Sequence, residues 1–317
     1  MFYGSSQDEA ERLHDRALGH LEAGELDAAL GLAQELRRMR WSGAFEIEAL
    51  VARRRGDLEV ALRALAEGRA AAPSAWSLHQ LAGIVLGEAG RTDEALAAFE
   101  AALGCEGAAR GSVRYNRAVL RMRRGEAGLA LADAEAALEA AAGAPFALEA
   151  LGVALEALGR LGRSEDAVSL VRTLRASLAP DDAAGKADLD AFLALALARN
   201  GAGAALVREH VARAVDGSSS RAELVLALQA VATGAATSRF RLALAGPAPP
   251  GADGAIAGYL RVVEVRAADE AQAIAIALEL EPGSLRSSVT VEECRRLGDD
   301  AGPPAPLHAS GRIWHGG

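Results

Sequence analysis

The sequence predicts a mainly α chain, a solenoid of helical hairpins followed by a small α+β domain. Three observations carry this. A glycine followed five residues later by an alanine recurs at Gly24 and Ala29, Gly56 and Ala61, Gly90 and Ala95, Gly125 and Ala130, and Gly162 and Ala167. The glycines are 32, 34, 35 and 37 residues apart, the period of stacked helical hairpins. Alanine supplies 76 of 317 residues and aromatics only 4%, which suits helices packed closely through small contact residues. From about Ser238 the apolar period shifts from 3.6 toward 2.

Each glycine follows a helical pattern, where a left-handed residue closes the helix and a Cβ is costly. Each alanine falls early in the next helix, where a larger side chain would push two helices apart. A hairpin leaves an apolar face that only its neighbour can cover, so the units must stack. A generic alanine-rich bundle with chance glycine turns would not keep the alanines in phase with the glycines.

These units resemble the tetratricopeptide repeat (TPR) family. Ser77-Leu78-His79-Gln80-Leu81-Ala82-Gly83 opens the best one, with Gly83 at the small helix-A position, then Gly90, Ala95, Phe99 and Ala102. The next reads Tyr115-Asn116-Arg117-Ala118, then Gly125, Ala130, Asp133 and Ala137. Gly56, Ala61 and Pro73 match the turn, crossing and terminal-proline positions of the second unit. The first unit keeps Gly24 and Ala29 but has His20 and Ala33 where the family prefers aromatics. The fifth has Leu151-Gly152, Gly162 and Ala167, with helix A about three residues too long. A sixth, degenerate hairpin spans Lys186 to Val215, with its turn at Asn200-Gly201-Ala202-Gly203 and Ala205 out of register. The resemblance covers about two-thirds of the chain and implies a fold, not a ligand.

After Asp216 the composition changes. Gly217-Ser218-Ser219-Ser220 reads as a break. Arg221 to Ala232 reads as a helix that caps the solenoid. Phe240, Leu242 and Leu244 alternate with Arg241, Ala243 and Ala245 in a half-buried strand, and Gly246 to Gly254 reads as a proline-rich loop. Tyr259 to Val265 reads as a second strand. Its alternation is imperfect, since Arg261 and Val263 share a face, so a bulge or a strand covered on both sides is expected. Asp269-Glu270-Ala271-Gln272 is a helix start of capping-box type, with Ala271, Ile274, Ala275 and Leu278 as its buried stripe and Pro282-Gly283 as its end. Ser288 to Glu292 is a third strand. Gly311 to Trp314 is a short fourth, after the proline-rich Gly302 to Pro306. The expected division is therefore 1–216 solenoid, 217–236 capping helix and linker, and 237–317 α+β domain.

Composition narrows the function. A net charge of −9 argues against nucleic acid as a partner. No stretch approaches 18 apolar residues, so no membrane span is expected. The opening Met1 to Glu9 has neither the basic nor the apolar region of a secretory signal. Two cysteines, Cys105 and Cys294, fit a reducing compartment, and the expected location is cytoplasmic. Richness in alanine, glycine and arginine suggests a GC-rich bacterial coding sequence.

No catalytic or metal-ligating set emerges, and no cofactor is implied. The six histidines lack metal-site spacing. There is no P-loop and no nucleophile elbow. Gly201-Ala202-Gly203 follows no strand, so it reads as a turn. Asp181-Asp182 reads as a turn or helix cap, Asp299-Asp300 as a solvated loop, Cys105 as a plain thiol between repeats and Cys294 as core.

Two readings apply to the arginine runs. Arg53-Arg54-Arg55 and Arg121, Arg123 and Arg124 end helices just before turn glycines, where positive charge complements the helix dipole. Alternatively they line a groove. By the TPR resemblance, helix A faces the concave surface, which implies Arg53, Arg54, Gln80, Ile84, Tyr115, Asn116, Val119, Met122 and Arg123 as groove residues. Asn116 falls where TPR domains that hold peptide carboxylates place an asparagine. Glu46 and Ile47 stand where the full clamp needs other residues, so that clamp is incomplete. The groove then suits an acidic or extended peptide, with arginine pairing to carboxylate.

Two function classes follow. One is a non-catalytic adaptor or scaffold that binds a protein partner's peptide or helix in the groove. The other is an accessory or regulatory subunit of an enzyme or biosynthetic complex, acting through the α+β domain. An enzyme in its own right, or a small-molecule sensor, would have to reside in that same domain. Oligomeric state is not legible.

Overall fold

A computed structural model describes residues 3–140, 147–217, 219, 221–248 and 257–315. The described chain is mainly helical, with TPR-like hairpins followed by a small antiparallel sheet. It forms two compact units, residues 1–153 and 154–317.

The first unit holds four complete hairpins. They are α1 (Tyr3–Glu22) with α2 (Leu26–Arg38), α3 (Gly43–Arg54) with α4 (Leu58–Ala71), α5 (Trp76–Glu88) with α6 (Thr92–Gly104), and α7 (Arg110–Arg124) with α8 (Ala127–Ala140). Each second helix also packs on the first helix of the next hairpin: α2 on α3, α4 on α5, α6 on α7. The first helices touch in series, α1 on α3, α3 on α5 and α5 on α7. That double row is the expected stacking of hairpins.

The turn chemistry is the expected one. Gly24, Gly56, Gly90 and Gly125 have φ of 79°, 82°, 76° and 83°. In each turn the following N–H donates to the carbonyl five residues back, as Asp57 to Ala52 at 2.9 Å and Glu126 to Arg121 at 2.9 Å. This is the Schellman closure, which needs a left-handed residue. The same closure joins α2 to α3, where Trp41 donates to Leu36 at 3.0 Å. Its left-handed residue there is Arg40, with φ 58°. The crossing alanines Ala29, Ala61, Ala95 and Ala130 are fully buried. Gly83 lies beneath Phe99, and a Cβ on it would sit 2.6 Å from the ring.

The boundary between units falls inside α9 (Ala147–Arg160). The surplus expected in helix A of the fifth unit bears on the residues just before α9, of which the described part has 14 residues. Residues 141–146 lie outside the described ones.

The second unit continues with α10 (Ser164–Ser177), α11 (Ala183–Arg199), α12 (Ala204–Asp216) and α13 (Ala222–Ala230). Gly162 and Gly201 close their turns with φ of 70° and 74°. Ala167 is buried. In the degenerate hairpin Ala205 is exposed and Val207 takes the buried place. Asp182 caps α11 by accepting from the Gly185 N–H at 2.8 Å. The helix expected over Arg221 to Ala232 is α13, which packs on α11 and α12.

The sheet contains β1 (Ala236–Pro247), β2 (Gly258–Ala267), β3 (Thr290–Gly302), β4 (Ala305–Ala309) and β5 (Ile313–His315), with α14 (Glu270–Leu278) packed on β1 and β2. The order is β3-β1-β2-β4, all antiparallel, and β5 pairs with the first residues of β2. One face of β1 and β2 is buried: Phe240, Leu242 and Leu244 beside Tyr259, Val263 and Val265.

Several expectations for this part are corrected. The β1–β2 ladder is regular, and the irregularity expected in β2 lies on its other side, in the pairing with β4 between Glu264 and Val265. Arg261 breaks the alternation because it is itself buried, on the face of Val263, while Leu260 and Val262 are exposed. The strand expected over Ser288 to Glu292 runs instead from Thr290 to Gly302, so Asp299-Asp300 belongs to β3 and not to a loop. Asp299 pairs with Arg296, and Asp300 with Arg266 at 3.1 Å. No strand is expected within the proline-rich Gly302 to Pro306, yet Ala305–Ala309 forms β4; Pro306 is tolerated at this outer strand. Asp269 caps α14 as expected, accepting from the Gln272 N–H at 2.8 Å. The buried stripe of α14 is Ala273 and Ala277, however, and Ala271 and Ala275 are exposed. β1 extends through Gly246 and Pro247; of the expected loop, residues 249–254 lie outside the described ones.

Candidate functional site

The site lies in the first unit, between the first helices of two adjacent hairpins. Positions spaced by three, four and seven share one helix face, and here Gln80, Ile84, Gly87 and Glu88 on α5 run beside Asn116, Val119 and Arg123 on α7. Ile84, Gly87, Glu88, Asn116, Val119 and Arg123 line one recess, floored by Gly83, Phe99 and Leu120. Gly83 helps to shape this floor, because a side chain there would collide with Phe99. The recess is about 100 Å³. Small-molecule pockets run to roughly 300–1,000 Å³, so this one fits a side chain or two of a larger partner.

Its electrostatics are asymmetric. Glu88 is neutralised by Arg53, which donates to it through Nε at 2.8 Å and Nη2 at 2.6 Å. That bond, and the Glu88 charge, raise the Arg53 pKa above its ordinary value against partial desolvation. Arg123 is exposed, and among the described residues nothing pairs with it. Asn116 is half-buried and its amide likewise has no partner among them. An unpaired guanidinium, an unpaired amide and the apolar Ile84 and Val119 can together hold a carboxylate beside a small apolar side chain.

Of the nine expected groove residues, Ile84, Asn116, Val119 and Arg123 meet in the recess. Arg53 borders it through Glu88, and Gln80 donates to Ser112 Oγ at 3.3 Å. Tyr115 is half-buried; burial first, then the Glu149 carboxylate, pushes its phenol up. Two residues are not groove residues. Met122 is 5% exposed and belongs to the core, on the buried side of α7 with Ala118 and Leu120. Arg54 turns to the carbonyl of Leu21 on α1. Ile47 is also core, and Glu46 accepts from Ser77 Oγ at 3.0 Å.

The arginine runs are mostly committed elsewhere. Arg117 and Arg121 clamp the buried Asp133 of α8, both at 2.6 Å. Arg124 pairs with Asp93 at 2.5 Å and Glu126 at 2.8 Å, and Arg55 with Asp27 at 2.6 Å. Of the run that ends α7, Arg123 alone lines the recess.

Two ionic clusters in the second unit were not legible in advance. Asp190, nearly fully buried, accepts from Arg175 and lies 2.8 Å from His210 Nδ1. Glu281, at 0% exposure, accepts from Tyr259 Oη at 2.6 Å, Arg261 at 2.9 Å and Arg312 at 3.0 Å. Burial, then the bond to Glu281, pushes the Tyr259 phenol up to about 12. The one advance signal was Arg261 at an inward position of β2. Among the described residues no group of three or more His, Cys, Asp or Glu is placed to hold a metal. Among them, too, no helix is long and apolar enough to cross a membrane.

Fold and recess together define a class: a TPR-like hairpin-repeat protein with a recess between neighbouring first helices. Solved structures share the fold. PilW, a widely conserved type IV pilus biogenesis factor, matches 68% of this chain and 96% of its own, at 18% identity and a TM-score of 0.50. Pseudomonas aeruginosa PilF matches 67% and 90%, at 15% identity and a TM-score of 0.53. A thermophilic TPR protein of Thermus thermophilus matches 48% and 81%, at 26% identity and a TM-score of 0.40. At these values the likeness is one of fold. Neither a protein-family model nor a curated protein matches the sequence.

Proposed function

We propose that this chain is a non-catalytic protein-interaction module that holds an acidic peptide or helix of a partner in the α5–α7 recess. One observation supports it above the rest: Asn116 and Arg123, two turns apart on one helix face, converge with Ile84 and Val119 while their polar groups have no partner among the described residues. A partner carboxylate at Arg123 would make a charge-assisted bond. In this reading residues 1–216 bind, 217–236 cap, and 237–317 serve a separate role, in the cytoplasm. The free thiols of Cys105 and Cys294 fit that compartment.

The test is affinity capture from a lysate of the native host, with mass spectrometry, comparing the native chain with Arg123→Glu and Asn116→Ala. A partner held by the native chain and lost with Arg123→Glu is the expected result. Arg123 is exposed, so its replacement should change stability by less than about 0.5 kcal/mol. A partner retained by both variants would sink the recess reading and favour an accessory-subunit role for the α+β part.

A further inference from the structure

Strand β3 carries a charge pattern whose centre its own sheet does not use. Around Cys294 it reads Val291-Glu292-Glu293-Cys294-Arg295-Arg296-Leu297. Read backwards, acid falls on base at one and two residues from Cys294, and apolar falls on apolar at three. β3 pairs only with β1, so its other side is an open edge among the described residues. Most of it is exposed, and Leu297 is 40% exposed.

Within the sheet the central charges are poorly served. Arg295 stands directly opposite Arg241, and Arg241 is already bound to Glu264 at 2.6 Å. Glu293 stands opposite Ala243. Among the described residues neither Glu293 nor Arg295 has an ion pair or side-chain hydrogen bond. Like charges directly opposite in a sheet are unfavourable. Charges on an open edge normally guard against strand addition, but a guard that reads as its own complement admits a strand of the same sequence.

We propose that β3 is a self-association edge: two copies of this chain pair antiparallel through β3, with the twofold axis at Cys294. In that register Glu293 of each copy faces Arg295 of the other, within the stretch of β3 whose ladder with β1 is regular. Glu293 and Arg295 share the outward face of the strand, as their partners Ala243 and Arg241 do, so the two pairs flank the axis on one surface. Moving the axis one residue either way sets Glu293 against Glu293 or Arg295 against Arg295. The ladder with β1 is regular from Glu293 to Arg296 and irregular on both sides, so the axis falls where the edge is most regular. A foreign strand would need this charge order reversed; a second copy carries it by symmetry.

Sedimentation equilibrium of the full chain over a wide concentration range tests this, with Glu293→Arg, Arg295→Glu and the double swap. The native chain is expected to dimerise. Each single swap should weaken the dimer on the order of ten-fold or more, because two favourable cross-strand pairs become two unfavourable ones. The double swap should restore it. A native chain that stays monomeric, a dimer indifferent to the single swaps, or a double swap without rescue overturns the proposal. A second measurement leaves the charges intact. In Cys105→Ser, mild oxidation should give a disulfide dimer through Cys294, since facing antiparallel residues have Cα atoms about 4.5–5.5 Å apart and a disulfide spans roughly 4.4–6.8 Å. A sedimenting dimer that forms no such disulfide also overturns it.

Discussion

In the first unit, helices meet through alanine and glycine; in the second, the sheet and its flanking segments close on a buried carboxylate. Ala61, Ala95 and Ala130 sit at helix crossings where shape decides the fit. Glu281 holds Tyr259 and Arg261 of β2 and Arg312 of the C-terminal segment by charge and hydrogen bonds. Each arrangement has its own vulnerability. A small-residue contact tolerates loss of volume and fails on its addition. A buried ion pair fails when one partner is removed, because the other stays behind uncompensated.

The comparison is broken most severely at Glu281. Glu281→Ala should cost about 3–5 kcal/mol, leaving Arg261 charged and buried. Denaturant unfolding followed by circular dichroism measures it. Asp133→Ala should cost less, because Arg117 and Arg121, each 14% exposed in their side chains, can turn to water. Equal losses at the two sites would refute this account of the difference.

Next comes Ala130→Leu, a crossing residue with no free space. It should cost about 1–3 kcal/mol by overpacking. A neutral result in thermal unfolding would mean that the hairpins adjust their spacing freely.

The Tyr259 phenol sharpens the contrast by pH. Its folded pKa, near 12, lies above the ordinary value of 10. Its contribution to stability is therefore complete below pH 10 and lost as pH rises toward 12. Phenolate absorbance on alkaline titration should show Tyr115 and Tyr259 both ionising late, and Glu281→Gln should bring Tyr259 alone earlier. Unchanged ionisation in that variant would detach Tyr259 from the carboxylate.

The smallest effect is expected at Arg40, the one described non-glycine residue with positive φ. It occupies the place that glycine holds in the neighbouring turns. Arg40→Gly should stabilise by about 1 kcal/mol, the left-handed strain relieved less the entropy added to the unfolded chain. A loss of stability would show that the Arg40 side chain has a role of its own.

The repeat was legible because its causes are local. A left-handed turn needs glycine within a residue or two, and the crossing alanine keeps a constant distance from it. The recess was only partly legible. The family register named Ile84, Asn116, Val119 and Arg123, which line it, and also Met122 and Arg54, which do not, since a rotation of one residue along a helix separates core from surface. β4 was missed because Pro303 and Pro304 before it and Pro306 within it masked a strand that needs few backbone donors at its place in the sheet. The inward Arg261 was visible only as a fault in an alternation.

By itself the sequence determined the hairpins, their turns and the change to a sheet, because periodicity and turn chemistry act over a few residues. The tertiary structure decided which charges are spent and which remain. Arg117, Arg121 and Arg123 look alike along the chain. Asp133 engages the first two and leaves the third open, because Asp133 arrives from another helix, and only the packing of α7 on α8 sets which face it meets.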